Sequence, residues 1–138
     1  MATAHNPNRP MSPHLQVWKW GPHMLVSILH RVTGSGMATV GTAVLVWWLV
    51  AAASGKDAYA GFLDVFTVRD GSLNILGWVL GVGLSLSFFQ HIANGVRHLF
   101  MDAGANFEIK DNKMTALATM IFSVSATVLY WAYIVAGK

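Results

Sequence analysis

Three long runs of residues without a formal charge divide this chain and constrain its fold more than any other feature. They cover residues 32–55, 71–96 and 114–137. A helix needs about 20 mostly apolar residues to cross the hydrocarbon core of a bilayer. Only 11% of the 138 residues are charged, whereas soluble domains carry roughly 25%. We therefore expect an all-α membrane protein with three transmembrane helices, at about residues 22–53, 72–99 and 114–136.

The first helix is expected to begin before its charge-free run. Pro22 follows Gly21, and proline suits the first position of a helix. This start divides the chain into an N-terminal segment, residues 1–21, and a membrane domain, residues 22–138. Residues 56–70 and 97–113 are interpreted as two short polar connections between the spans.

Lysine and arginine are distributed unevenly around the three spans. Six of them lie before the first span or between the second and third, and the other side has only Lys56, Arg69 and Lys138. The positive-inside rule therefore predicts a cytoplasmic N-terminal segment. Residues 1–20 contain three prolines and no apolar signal-peptide core. We expect a multi-pass protein of the bacterial inner (cytoplasmic) membrane, with the mitochondrial inner membrane less favoured.

Composition also limits the partners of the chain. Membrane lipid is expected from the apolar spans, whereas no basic cluster is dense enough to indicate nucleic acid. The chain has no cysteine, so it cannot supply the thiolates that hold an iron–sulfur cluster.

Two of the helices each carry polar and small residues on one face, near their expected cytoplasmic ends. On the first helix, at i, i+3, i+4 and i+7, these are Ser27, His30, Arg31 and Gly34. On the second, at i, i+4, i+7 and i+11, they are His91, Gly95, His98 and Asp102. Ionisable residues inside spans usually face the bundle interior and have a function. The two faces are therefore expected to meet.

The depths of the histidines favour a haem. His91 precedes His98 by seven residues, which places it about 10 Å deeper at 1.5 Å per residue. An upright haem would then have its iron at His91 and its carboxylates near His30, Arg31 and His98, which can form charge-assisted hydrogen bonds. The alternative is that His91 is a hydrogen-bonded packing residue between helices.

A second axial ligand is harder to find in this chain. The third span has no histidine, and His23, His30 and His98 are expected to lie too shallow. Met37 is deep enough, although methionine in a span usually serves packing. We therefore expect another chain to supply the ligand, within an obligate hetero-oligomer. Asp102 is interpreted as a helix-end partner of His98 or Arg97.

Three segments resemble a known family. They are R-P-M-S-P-H-L at 9–15, S-I-L-H-R-V-T-G at 27–34 and H-I-A-N-G-V-R-H-L-F-M-D at 91–102. Together they are similar to the cytochrome b subunit of succinate dehydrogenase, the larger membrane anchor of respiratory complex II. The resemblance covers roughly the whole chain. It implies a haem-binding helical bundle formed with the smaller membrane-anchor subunit, and docking of an iron–sulfur subunit on the cytoplasmic face.

The resemblance also implies roles for individual residues. His91 matches the axial ligand of haem b, with the second ligand supplied by the smaller anchor. The positions that contact the haem propionates are His30, Arg31 and His98. Ser27 and Arg31 match the ubiquinone-reducing site, and its apolar lining is Trp20, Met24 and Ile28. Succinate oxidation is expected on another subunit, the flavoprotein, because no dinucleotide glycine fingerprint is present.

The residue types agree with a quinone site. Ser27 offers a hydroxyl and Arg31 a guanidinium to quinone oxygens, and Trp20 and Ile28 offer apolar surface. The alternatives are that Ser27 bonds its own helix backbone and that Trp20 is an ordinary interfacial tryptophan. Trp18 stands where the family often has tyrosine.

Two other functions remain open from the sequence. One is the anchor of a quinol:fumarate reductase, which runs the reverse reaction. The other is a haem-free structural anchor or small transport component whose polar residues only hold helices together.

Overall fold

The computed structural model describes residues 19–137, which form four helices. These are α1 (Pro22–Ser54), α2 (Lys56–Phe66), α3 (Ile75–Asp102) and α4 (Ile109–Ala136). Helices α1, α3 and α4 are long and apolar enough to cross a membrane. The predicted all-α fold with three transmembrane helices is therefore confirmed. The segment at 9–15 and Trp18 lie outside the described residues.

Helix α1 starts at Pro22 after the extended residue Gly21. A single π-helical turn, Met37–Gly41, separates the α-helical stretches Pro22–Gly36 and Thr42–Ser54. Such turns contain one extra residue and are frequent near functional sites. Here the turn begins three residues after the end of the polar segment at 27–34.

Helix α2 replaces the polar connection that we expected after the first span. Gly55, with φ of 105°, separates it from α1. Four residues at i, i+3, i+4 and i+7 give the helix an aromatic and apolar side: Tyr59, Phe62, Leu63 and Phe66. The ring of Trp47 lies 5.0 Å from Phe62 and 5.7 Å from Phe66. The segment is helical because it can pack this side against α1 while its charged residues stay exposed.

Helices α3 and α4 pack along a polar seam. The buried residues of α4 follow one face: Ala116, Thr119, Ser123 and Thr127. The seam residues of α3 are Gln90, Asn94 and Arg97. Small side chains let transmembrane helices approach closely, and their hydroxyls can bond nearby carbonyls. Ser123 and Gln90 also bond across the seam, at 2.7 Å between Oγ and Oε1.

The ends of α3 differ from the predicted span of 72–99. Asn74 caps its first turn by accepting a hydrogen bond from the Gly77 amide at 2.9 Å, so the helix begins at Ile75. It continues to Asp102, and the following turn uses Gly104 and Asn106, both with positive φ. Helix α4 begins at Ile109, five residues before its predicted start.

Candidate functional site

Three histidines from α1 and α3 meet at one place in the bundle. The rings of His30 and His91 are stacked, with centroids 3.9 Å apart and planes inclined by 6°. The rings of His30 and His98 are 5.4 Å apart and inclined by 54°. The two polar faces deduced from the sequence are therefore in contact. His30 lies between the other two rings, whereas we expected it at the shallow level of His98.

The hydrogen bonds of His91 define its tautomer. Its Nδ1 lies 3.1 Å from the backbone carbonyl oxygen of His30. A carbonyl only accepts, so Nδ1 must carry the proton and donate. In a neutral imidazole the other nitrogen, Nε2, then has a free lone pair. Within residues 19–137 no hydrogen bond engages Nε2. His91 is thus arranged as metal-ligating histidines usually are, with a backbone carbonyl holding the non-ligating nitrogen.

Gly34 makes room for the His91 ring on α1. A Cβ atom at this position would lie 2.8 Å from Cε1 and 3.3 Å from Nδ1 of His91, which is shorter than ordinary van der Waals contact. At Gly95, one turn along α3 from His91, a Cβ would meet nothing within 4 Å. The imidazole is therefore packed tightly on the α1 side and has open space beside it on its own helix.

The surroundings of His91 fit a haem. Nδ1 of His30 is buried and has no hydrogen-bond partner within residues 19–137, and a carboxylate oxygen of a haem could accept a hydrogen bond from it when it carries the proton. In the same part of the chain no three His, Asp or Glu side chains are placed to hold a bare metal ion. Iron already chelated by a porphyrin needs only axial ligands from the protein. The side chains around His91 therefore suit iron that a porphyrin already chelates, and not a bare metal ion.

The proposed quinone residues occupy the first turns of α1. The Ser27 hydroxyl donates to the His23 carbonyl at 3.1 Å, which is the helix-backbone bond that the sequence left as an alternative. Arg31 is exposed and has no hydrogen-bond partner within residues 19–137. Ile28 is 43% exposed and Met24 is half-buried. These residues share one end of α1 with His30, and Trp20, 55% exposed, precedes the helix.

A buried arginine was missed by the sequence analysis. Arg97 is only 4% exposed, and its guanidinium donates to Oδ1 of Asn112 at 2.8 Å, to Oγ1 of Thr115 at 3.2 Å and to Oδ1 of Asn94 at 3.3 Å. Within residues 19–137 no carboxylate contacts it. The suggested pairing of Asp102 with Arg97 is therefore wrong, because Arg97 points into the α3–α4 seam. The sequence offered one sign that Arg97 belongs to the site, which is its position directly before His98.

Comparison with known proteins identifies the family of this chain. Residues 5–130 match the family model of the succinate dehydrogenase/fumarate reductase transmembrane subunit. The chain belongs to this family. The succinate dehydrogenase cytochrome b556 subunit of Paracoccus denitrificans is 36% identical over 129 residues, covering 94% of each chain. That of Rickettsia prowazekii is 33% identical over 89% of this chain and 90% of its own.

A third relative extends the comparison. The succinate dehydrogenase cytochrome b560 subunit of Porphyra purpurea is 34% identical over 126 residues, covering 85% of this chain and 94% of its own. The family and its three spans make this chain a multi-pass membrane subunit of the succinate dehydrogenase cytochrome b type. The resemblance deduced from the sequence is thereby confirmed.

Proposed function

We propose that this chain is the haem b-binding membrane anchor of a succinate:ubiquinone oxidoreductase and forms part of its ubiquinone-reducing site. The observation that carries the proposal is the hydrogen bond from His91 Nδ1 to the His30 carbonyl, which leaves Nε2 available as an iron ligand. The relatives named as succinate dehydrogenase cytochrome b subunits favour succinate oxidation with quinone reduction over the reverse reaction, quinol:fumarate reduction.

The haem-binding residues would have different roles according to their positions. His91 would ligate the iron, and His30, Arg31 and His98 would hold the propionates with charge-assisted hydrogen bonds. Two observations support this: the three rings lie within 5.4 Å of a neighbour, and His30 Nδ1 lacks a partner in residues 19–137. A bound haem supplies one-electron redox chemistry.

The second axial ligand is proposed to come from the smaller anchor subunit. Within residues 19–137, the ring nearest to His91 is that of His30, and the two meet face to face. Two histidines that held one iron would each have to point a ring nitrogen at it, which two rings stacked face to face do not do. His30 is thus unsuited to be the opposite ligand.

The quinone site would use the exposed end of α1. Arg31 has no hydrogen-bond partner within residues 19–137, so its guanidinium can donate to a quinone oxygen and stabilise negative charge there as electrons arrive. The Ser27 hydroxyl donates its hydrogen bond to the His23 carbonyl, and by rotating away from that carbonyl it can donate one to a quinone oxygen. Trp20, Met24 and Ile28 offer apolar surface beside these groups. The electrons are proposed to come from an iron–sulfur subunit bound on the cytoplasmic face, and succinate oxidation to occur on the flavoprotein subunit.

A purified four-subunit complex tests both halves of the proposal. In His91→Ala we expect the haem b absorbance to be lost, because the iron would lose the ligand that this chain is proposed to supply. In Arg31→Ala we expect ubiquinone reductase turnover to fall while electron transfer from succinate to an artificial acceptor at the flavoprotein persists. Difference spectra, subunit content and the two turnover rates are the measurements.

The outcomes separate the alternatives. A haem spectrum unchanged in assembled His91→Ala would exclude the axial role. Normal quinone turnover per assembled Arg31→Ala complex would exclude the quinone role and favour a structural anchor. Menaquinone in place of ubiquinone in the native membrane would favour the fumarate reductase anchor.

A further inference from the structure

We propose that Thr33 is a positioning residue for His91. The Thr33 hydroxyl and the His30 carbonyl both accept a hydrogen bond from Nδ1 of His91. The hydroxyl thereby influences how strongly Nε2 of His91 donates its lone pair to iron. The inference rests on the proposed role of His91 as haem ligand. Thr33 directly precedes Gly34 but was not among the residues that helical spacing placed on the polar face of α1.

The hydrogen bonds around Thr33 give its hydroxyl a defined direction. Its Oγ1 lies 2.7 Å from the carbonyl oxygen of Leu29, 3.2 Å from that of His30 and 3.4 Å from Nδ1 of His91. A hydroxyl has one proton, and the shortest contact places it on the Leu29 carbonyl. The lone pairs of Oγ1 are therefore free to accept, and Nδ1 of His91 is the N–H donor near them.

The proton on Nδ1 thus has two acceptors of unequal strength. The His30 carbonyl, at 3.1 Å, is within the normal range for a hydrogen bond. The Thr33 hydroxyl, at 3.4 Å, is a longer and weaker second acceptor. Both lie on α1, whereas the ring belongs to α3. A bifurcated bond of this kind restricts rotation of the imidazole as well as fixing its tautomer.

Acceptors at the non-ligating nitrogen increase the basicity of a ligating imidazole. A more basic ligand stabilises the ferric state over the ferrous state and holds the metal more tightly. Removing the hydroxyl should therefore move the haem midpoint potential to a more positive value and speed haem loss. Loss of such partners typically costs about 10–100-fold in metal affinity. We expect the lower end, since the His30 carbonyl remains.

The test compares three variants in the purified complex. Thr33→Val keeps the shape and removes the hydroxyl, and Thr33→Ser keeps the hydroxyl and removes the methyl group. Thr39→Val is the matched control, because the exposed Thr39 also donates to the carbonyl four residues earlier, at 2.7 Å. The measurements are redox titration of the haem absorbance and the rate of haem transfer to excess apomyoglobin.

We expect a more positive midpoint potential and about tenfold faster haem transfer in Thr33→Val, with parent values in Thr33→Ser and Thr39→Val. Equal values in Thr33→Val and Thr39→Val would overturn the proposal. So would a shift that Thr33→Ser shares, since it would indicate methyl packing. If Thr33→Val does not assemble, Thr33→Ala has the same expected result. Failure of the proposed function is recognised separately, by haem retained in His91→Ala.

Discussion

At the residue scale, the site depends on how closely an imidazole can approach the backbone of a neighbouring helix. The ring of His91 occupies the space where a side chain at Gly34 would begin. Glycine inside a helix costs about 1 kcal/mol relative to alanine, so its use here has to be offset by that contact. The hydrogen bond from Nδ1 to the His30 carbonyl is possible only because α1 and α3 come this close.

Gly34→Ala should therefore lower the haem content of the assembled complex, although alanine favours the helix itself. The new Cβ would lie 2.8 Å from Cε1 of His91, and the ring would have to move away from its carbonyl acceptor. Gly36→Ala is the control, because a Cβ there would meet nothing within 4 Å. The haem-to-protein ratio measures the effect. Equal ratios in the two variants would contradict the claim that Gly34 makes room for the His91 ring.

At the element scale, α3 and α4 are joined by a buried cation with neutral partners. The guanidinium of Arg97 bonds Asn94 on its own helix and Asn112 and Thr115 on α4. Asn112 also donates to the Asn106 carbonyl at 3.1 Å, which fixes the turn between the two helices. A buried charge is costly unless all its hydrogen bonds are made. The network thus holds this end of α3, where His98 also lies.

Asn112→Ala should destabilise the α3–α4 pair. It removes the shortest acceptor of Arg97 and leaves that guanidinium nitrogen only the longer bond to the Asn112 backbone carbonyl, at 3.5 Å, at a cost of about 1–3 kcal/mol. The expected result is a lower thermal denaturation midpoint of the purified complex. Lys113→Ala changes the next residue, which is exposed, and should leave that midpoint unaltered. A similar fall in both variants would show that the effect is not specific to the hydrogen bonds of Arg97.

At the scale of the whole molecule, the interior is more polar than the surface. The buried residues within 19–137 include six polar or charged side chains against four apolar ones. Large apolar side chains such as Ile75, Leu129 and Tyr133 are 69–84% exposed. This inversion suits a chain surrounded by lipid tails and by other transmembrane helices, where polar groups find partners only inside the bundle.

The absence of cysteine allows the orientation to be measured by single-cysteine labelling. Val68→Cys, in the turn between α2 and α3, should react with a membrane-impermeant maleimide in intact cells. Ala105→Cys, in the turn between α3 and α4, should react only in inverted vesicles washed with urea to remove peripheral subunits. Both residues are exposed and uncharged, so neither change alters the distribution of Lys and Arg. The reverse labelling pattern would refute the positive-inside assignment.

How far the sequence could predict the site depended on the type of contact. The faces with His30 and with His91 followed from helical periodicity, which depends only on residues a few positions apart. Helix α2 was missed because its charged residues suggested a loop, and its helical form depends on packing against Trp47. Arg97 was assigned the wrong partner because the choice between Asp102 and Asn112 depends on the rotation of α3 against α4.

The sequence alone determined that the chain spans the membrane three times as helices, since a backbone in hydrocarbon must satisfy its own hydrogen bonds. It also determined which end of the bundle holds the histidines. Only the tertiary structure decided that the His30 ring lies between the other two and that a carbonyl and a hydroxyl of α1 face His91 Nδ1. Those contacts join residues about sixty positions apart, and their geometry follows from how two helices pack.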